Sequence, residues 1–213
     1  MSKTLGNVIR PDDLVEKYGV DGTRYLVLSA FPFGTDGDIS LANFTEKYNA
    51  DLANDLGNLL NRTISMVNRY FGGIVPEPAG EATASDAELK EAAGQAFVGQ
   101  EAAINNIAFS DGLASVWQLI SRANKYVEEN APWALAKTNQ QRLARVLYNL
   151  LETLRLLAHA IAPFMPGTAT VMAAQLGVDV DSRQPWRQSI EWGGFPTGGT
   201  VIKKPIPLFP KIQ

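Results

Sequence analysis

The chain of 213 residues has no cysteine and only one histidine, His159. The first absence excludes disulfides, thiolate catalysis and Cys-ligated zinc within this chain. The second leaves a Ser-His-Asp triad or a His-based metal site little to work with. Charged residues make up 19% of the chain, below the usual quarter, yet 46% is hydrophobic, enough for a core. No run approaches eighteen uninterrupted apolar residues, and the N-terminus MSKTLGNVIRPDD lacks the apolar stretch of a signal peptide. These absences lead to the expectation of a cytoplasmic globular protein that neither crosses a membrane nor enters the secretory route. A net charge of −3 argues against a general polyanion binder, so any contact with nucleic acid has to be local and geometrically specific.

What is present is helical. Pro11-Asp12-Asp13 opens a short run that Gly19 closes, and a second run follows over residues 20–30. Residues 31–40, FPFGTDGDIS, are turn chemistry. Residues 1–40 therefore read as a small α-rich module that has room for a short strand. Between Phe44 and Phe71 apolar residues recur every three or four positions, predicting one long helix that Gly72-Gly73 stops. A Gly/Pro/Glu-rich loop follows to Ala84, and Ser85 with Glu88 reads as a capping box for a helix to about Asn106. Further amphipathic helices are expected over 111–130, with Pro132 just past the end, and over 140–161 and 165–176. The tail 182–213, with its short alternating piece Thr200-Val201-Ile202, reads as an extended segment lying across the others. The expected fold is mainly α: an antiparallel bundle over 41–181 carrying the small N-terminal module.

Four local features bear on chemistry. The loop Met1-Ser2-Lys3-Thr4-Leu5-Gly6 places a lysine near a glycine, which suits a nucleotide phosphate, although a frayed terminus reads the same way. Asn54, Asn58, Asn61 and Ser65 fall at i, i+4, i+7 and i+11 on the first long helix, with Arg62 one turn beyond Asn58. Amides are poorer helix formers than Glu or Lys, and they serve where a donor and an acceptor must both face a partner; Asn and Arg also read base edges. The alternative is a set of buried amides bonding neighbouring helices. Ala131-Pro132-Trp133 puts a tryptophan at a helix end, either a stacking platform for an unpaired base or a lid on the core. His159 lies in an apolar helical stretch and reads as structural.

MSKTLGNVI resembles the second half of the KMSKS signature of class I aminoacyl-tRNA synthetases. KYGVDGTRYLVLSAFPFGTDGDIS and NADLANDLGNLLNR are similar to the methionyl-tRNA synthetase family, and APWALAK and IAPFMPGTA support that likeness. The resemblance implies a stem-contact module over residues 1–40, then an α-helical anticodon-binding domain, with 182–213 packing back on it. It implies that Asn58 and Arg62 read the first base of the CAU anticodon of tRNA(Met), with Pro132 and Trp133 beside it and the Trp133 ring stacking on an unpaired base. Lys3 would correspond to the second signature lysine, which stabilises the triphosphate of ATP, with Mg, while methionine is adenylated. The first lysine of the signature is absent, Thr4 replaces its last serine, and no upstream nucleotide motif, methionine pocket or zinc knuckle is found. The expectation is thus a C-terminal, monomeric fragment of a methionine–tRNA ligase, separated from its N-terminal catalytic domain, without a cofactor of its own and inactive alone. The same region of a leucyl, valyl, isoleucyl or cysteinyl relative, and a free-standing helical RNA-binding module, are the rival readings.

Overall fold

The computed structural model describes residues 9–35, 39–180 and 186–213. Helix α1 (Pro11–Ala30) starts on a proline, with Asp12 and Asp13 in its first turn, where they favour the positive end of the helix dipole. It breaks at Gly19, whose φ of 72° interrupts the helix, so the two runs read from the sequence are present. No strand forms in the described part of residues 1–40. Polar contacts of Arg24 and Asp21 help to dock the N-terminal module on the bundle. Arg24 donates to the carbonyls of Phe164 (2.6 Å) and Pro163 (3.0 Å), and Asp21 accepts from the backbone N–H of Thr168 at 2.5 Å.

The long helix expected over 44–71 is continuous but not uniform. It comprises α2 (Leu41–Lys47), a π-helical segment (Tyr48–Gly57) and α3 (Asn58–Phe71). The cause is legible in the spacing. Phe44, Tyr48, Leu52 and Leu56 are all buried and each is four residues from the last. In an α-helix of 3.6 residues per turn such a row would drift around the cylinder; the wider π turn keeps all four facing the core. At the exit, a Cβ on Gly57 would lie 2.9 Å from the Leu52 carbonyl oxygen, so the close approach of that turn requires glycine. From Leu59 to Val67 the buried positions return to α spacing.

Helices α4 (Ala84–Asn105), α5 (Phe109–Asn130), α6 (Pro132–Thr138), α7 (Gln140–Ile161) and α8 (Pro166–Leu176) complete the bundle, and a single turn, α9 (Trp186–Ser189), follows. The capping box of α4 is two residues earlier than the sequence reading: Thr83 is the N-cap, and Asp86 accepts from the Thr83 N–H at 2.8 Å. Ser85 and Glu88 lie inside the helix. Helix α7 is the central element, buried on every side from residue 146 to 161. An all-round buried helix has to satisfy any polar side chain it carries. Glu152, fully buried, accepts from Arg155 (2.7 Å) and from the N–H groups of Gly193 (2.7 Å) and Gly194 (3.1 Å). Arg155 in turn donates to the carbonyls of Ser189 (2.6 Å) and Glu191 (2.7 Å). This buried pair fastens the start of the C-terminal segment to the bundle.

Beyond α9 the tail is extended, as its composition indicated. The Val75 N–H donates to the Gly199 carbonyl (2.8 Å) and the Val201 N–H to the Gly73 carbonyl (3.0 Å), giving an isolated antiparallel bridge between Ile74 and Thr200. Phe209 inserts against Tyr48, ring centroids 5.8 Å apart and edge to face. The Asn49 amide clamps the end of the chain, donating to the Ile212 carbonyl (2.8 Å) and accepting from its N–H (2.9 Å).

Candidate nucleic-acid interface

The row of amides forms an outward face. Asn54, Asn58 and Ser65 are exposed, and Asn61 and Arg62 are half-buried. The alternative of buried amides tying helices together is thereby excluded for this row. The side chains of Asn54, Asn58 and Asn61 have no hydrogen-bond partner among the described residues, whereas Asn49, Asn68, Asn130 and Asn149 are all engaged. Each free amide thus retains a donor pair and an acceptor for an incoming partner.

Arg62 is brought against Trp133. Its guanidinium lies 5.9 Å from the centre of the indole ring, within cation–π range. The same guanidinium donates to Glu128 at 2.8 Å. That ion pair is solvent-exposed, with side-chain exposures of 35% and 60%, so it aims Arg62 at little cost when Arg62 is recruited elsewhere. Trp133 itself is 43% exposed. Its indole presents area to solvent, and the core-lid reading does not describe it.

Pro132, by contrast, is buried. It occupies the first turn of α6, a helix the sequence pattern does not predict, and it sets the direction of the next residue rather than offering a contact surface. The corner before it is unusual. Ala131 adopts φ 39° and ψ 66°, a left-handed conformation that costs an alanine about 1–2 kcal/mol. A buried polar cluster braces this corner. Arg142 donates to Asp86 (2.5 Å), to Thr83 Oγ1 (2.9 Å) and to Asn130 Oδ1 (2.6 Å). Asn130 also donates to the Tyr126 carbonyl at 3.0 Å, and the Tyr126 hydroxyl donates to Asp86. Burial pushes the Asp86 carboxyl up, but hydrogen bonds from Arg142, Tyr126 and Thr83 outweigh it and hold the carboxyl below its ordinary value. Burial and the bond to Asp86 together drive the Tyr126 hydroxyl well above its usual range. Both groups therefore stay in one charge state at neutral pH, as a rigid support needs.

The sequence reading missed Asp86, Asn130 and Arg142. Their signal was weak: three polar residues on otherwise amphipathic helices, joined only by tertiary packing. Lys3, singled out for phosphate contact, lies outside the described residues, as does the glycine loop around it. His159 is buried in α7, and its pKa is lowered by burial and by the nearby Arg155. Among the described residues no group of three His, Asp or Glu side chains converges as a metal site would require. No helix among them is long and apolar enough to cross a membrane.

Comparison with known proteins adds an independent line. Residues 75–213 match the family model described as the anticodon binding domain of methionyl tRNA ligase, and residues 1–64 match that of tRNA synthetases class I (M). The methionine–tRNA ligase of Enterococcus faecalis is 44% identical over all of this chain, and that of Bacillus subtilis 43%; the chain covers 32% of each. The chain thus spans about a third of the length of these relatives. Among solved structures, Mycobacterium tuberculosis methionyl-tRNA synthetase bound by methionyl-adenylate superposes with a TM-score of 0.90 at 34% identity, over 99% of this chain and 41% of that one.

Proposed function

Because the chain belongs to the methionyl-tRNA ligase anticodon-binding family, we propose that it selects tRNA(Met) by reading the CAU anticodon, as part of an enzyme that joins methionine to that tRNA with ATP. The observation that carries this reading is the meeting of Asn58, Arg62 and Trp133 on one open surface, with Arg62 5.9 Å from the indole. A planar ring with one face open stacks any unpaired base; the amide and the guanidinium beside it supply the directional donors and acceptor that tell one base edge from another. In this division of labour Trp133 contributes affinity. Asn58 and Arg62 contribute identity at the first anticodon base. Pro132, in the first turn of α6, sets where that ring stands.

Residues 1–40 act in this reading as the stem-contact module, 41–181 as the anticodon-binding bundle, and 182–213 as the strap that closes over it. The setting is the cytoplasm, where tRNA is charged. ATP and Mg belong to the chemistry of the whole enzyme. The described residues form no metal site, and Lys3, which would meet the triphosphate, is outside them, so no step is assigned to this chain.

The test is discrimination rather than affinity alone. Stem-loops bearing CAU and stem-loops altered at the first anticodon base are titrated against wild type, Asn58→Ala and Arg62→Ala. Each substitution is expected to weaken cognate binding by about 1–3 kcal/mol and to shrink the gap between the two RNAs. Equal loss on both RNAs would show that these residues contact only the backbone, and the reading would fall.

A further inference from the structure

Helix α6 has only seven residues and hangs between α5 and α7, joined to each by a single residue, Ala131 and Asn139. A helix that short is not stable alone, so the place of its second residue, Trp133, is decided by how its two ends are tied. Arg142 ties both. Its guanidinium donates to Asn130 Oδ1 at 2.6 Å, at the end of α5, and its backbone N–H donates to Asn139 Oδ1 at 3.0 Å, just before α7. The bond between positions 130 and 142 closes a loop with Trp133 inside it. We infer that Asn130 and Arg142 are positioning residues for RNA recognition: they hold the Trp133 ring where an unpaired base stacks, and part of the affinity for RNA passes through them without their touching it. The inference rests on the anticodon-reading function proposed above and extends it to two residues which that reading does not use.

Three observations support it. First, the clamp is itself fixed. Arg142 is 8% exposed, too buried to meet an RNA, and Asp86 (2.5 Å) and Thr83 Oγ1 (2.9 Å) hold its guanidinium from α4 and its N-cap. Asp86 is held in turn by the Asn149 amide at 3.0 Å and by the Tyr126 hydroxyl. A guanidinium is a rigid fork, so fixing it on Asp86 and Thr83 also fixes where it meets Asn130. Second, the corner between Asn130 and Trp133 needs holding. Ala131 adopts φ 39° and ψ 66°, and a left-handed alanine persists only where its surroundings impose it. Its neighbour Asn130 supplies that constraint, accepting from Arg142 and donating to the Tyr126 carbonyl at 3.0 Å. Third, the outer side of the ring offers no substitute anchor. Trp133 is exposed, and its cation–π partner Arg62, 5.9 Å from the ring centre, is shared with the exposed Glu128. A ring left loose has to be ordered by the incoming base, and that cost is subtracted from binding.

A double-mutant cycle read by RNA binding tests the inference, because loss of general stability does not couple two residues in their effect on a ligand. Asn130→Ala removes the acceptor that closes the loop and leaves the Arg142–Asp86 pair intact, so the chain should fold and melt only a few degrees early. Its affinity for a CAU stem-loop, measured well below the melting temperature, should fall roughly 2- to 13-fold, the cost of ordering one side chain on binding. Arg142→Lys keeps a charge opposite Asp86 but loses the fork that reaches Asn130, and should reproduce that fall. In a Trp133→Ala background neither substitution should weaken binding further, because the ring through which they act is gone. Should Arg142→Lys not fold, Asn130→Ala and its pairing with Trp133→Ala decide alone. Losses that multiply in the double variants would show that the two residues affect binding by another route. Wild-type affinity in Asn130→Ala would show that the ring needs no clamp. Either result overturns the inference, while the anticodon reading is judged separately by Asn58→Ala and Arg62→Ala and survives if those lose discrimination. If Trp133→Ala itself binds as wild type, there is no stack to position, and the inference falls together with the ring's part in that reading.

Discussion

Replacing Trp133 with alanine separates a recognition platform from a core side chain, because the two roles predict different signatures. The ring is 43% exposed and its charted partner is the Arg62 guanidinium at 5.9 Å. An exposed cation–π contact contributes about 0.5–1 kcal/mol. The buried half of the ring adds about as much again in lost packing, so a stability loss of about 1–2 kcal/mol is expected. For a chain of this size each kcal/mol moves the melting temperature by about 2–4 °C, giving a fall of roughly 2–8 °C. Emptying a buried aromatic site would instead cost about 3–5 kcal/mol, or roughly 6–20 °C. On the RNA side, loss of one base–aromatic stack weakens binding by about 1–3 kcal/mol, roughly 5- to 150-fold. Trp133→Phe keeps a stacking face and should recover most of that loss. Calorimetry and stem-loop titration on the same preparations decide the matter. A Trp133→Ala protein that melts more than 10 °C early, yet binds cognate and altered anticodons in the wild-type ratio, would refute the reasoning.

Three further outcomes follow from the same geometry. With a net charge of −3, binding rests on a few local cations such as Arg62, Arg69, Lys125 and Lys137, so the log–log salt slope for tRNA should be on the order of −2 to −4; a slope near −10 would mark a general polyanion binder. Asp86 has its native pKa held below the ordinary 3.8, so the unfolded chain takes up the proton first. Its stabilisation is therefore complete above about pH 4 and disappears as pH falls through the native value. Asp86→Ala, which strands the buried Arg142, should cost about 3–5 kcal/mol at pH 7 and remove that acid-range dependence, read by melting curves from pH 7 to pH 2. The 213-residue chain alone should give no methionine-dependent pyrophosphate exchange, since it spans about a third of the ligases it resembles; exchange that co-purifies with the chain and survives removal of host synthetase would overturn this.

The helical content and most helix ends were legible because they are local. Gly19, Gly72 and Gly177 each impose a backbone preference that no distant contact has to supply. The π segment was half legible. Its strict four-residue spacing from Phe44 to Leu56 was in the sequence, but a template allowing threes and fours absorbs that spacing into an ordinary helix. Helix α6 was missed because seven residues carry too little periodicity to register, leaving Pro132 to read as a stop when it is a start. The capping box slipped by two positions because Thr83, Ser85 and Asp86 offer overlapping solutions. What chose between them is Arg142, which reaches Asp86 from 56 residues away, beyond any local pattern.

The site shows the same division more sharply. Asn58 and Arg62 share a helix face by spacing alone, but spacing cannot say whether an asparagine is spent or free. The chain carries both kinds within a few turns. Asn49 holds the end of the tail, and Asn68 donates to the carbonyls of Ile64 and Ile202 at 3.0 and 2.9 Å. Between them Asn54, Asn58 and Asn61 bond to nothing described. The difference is set by where the C-terminal segment runs. It crosses the helix at Asn49 and again near Asn68, satisfying the amides beneath each crossing, and it stands off between them, leaving a groove with Leu208 and Lys211 on its far side. The glutamate–arginine pair on α7 fastens the start of that segment, through Gly193, Gly194 and the carbonyls of Ser189 and Glu191. The amides open to a base are thus selected by a strap anchored on the opposite element of the bundle. Glu152→Gln, which weakens the anchor without touching the amide row, should therefore loosen RNA discrimination as well as lower the melting temperature. Measured by stem-loop titration at a temperature where the variant remains folded, unchanged discrimination would show that the strap's path does not govern the site.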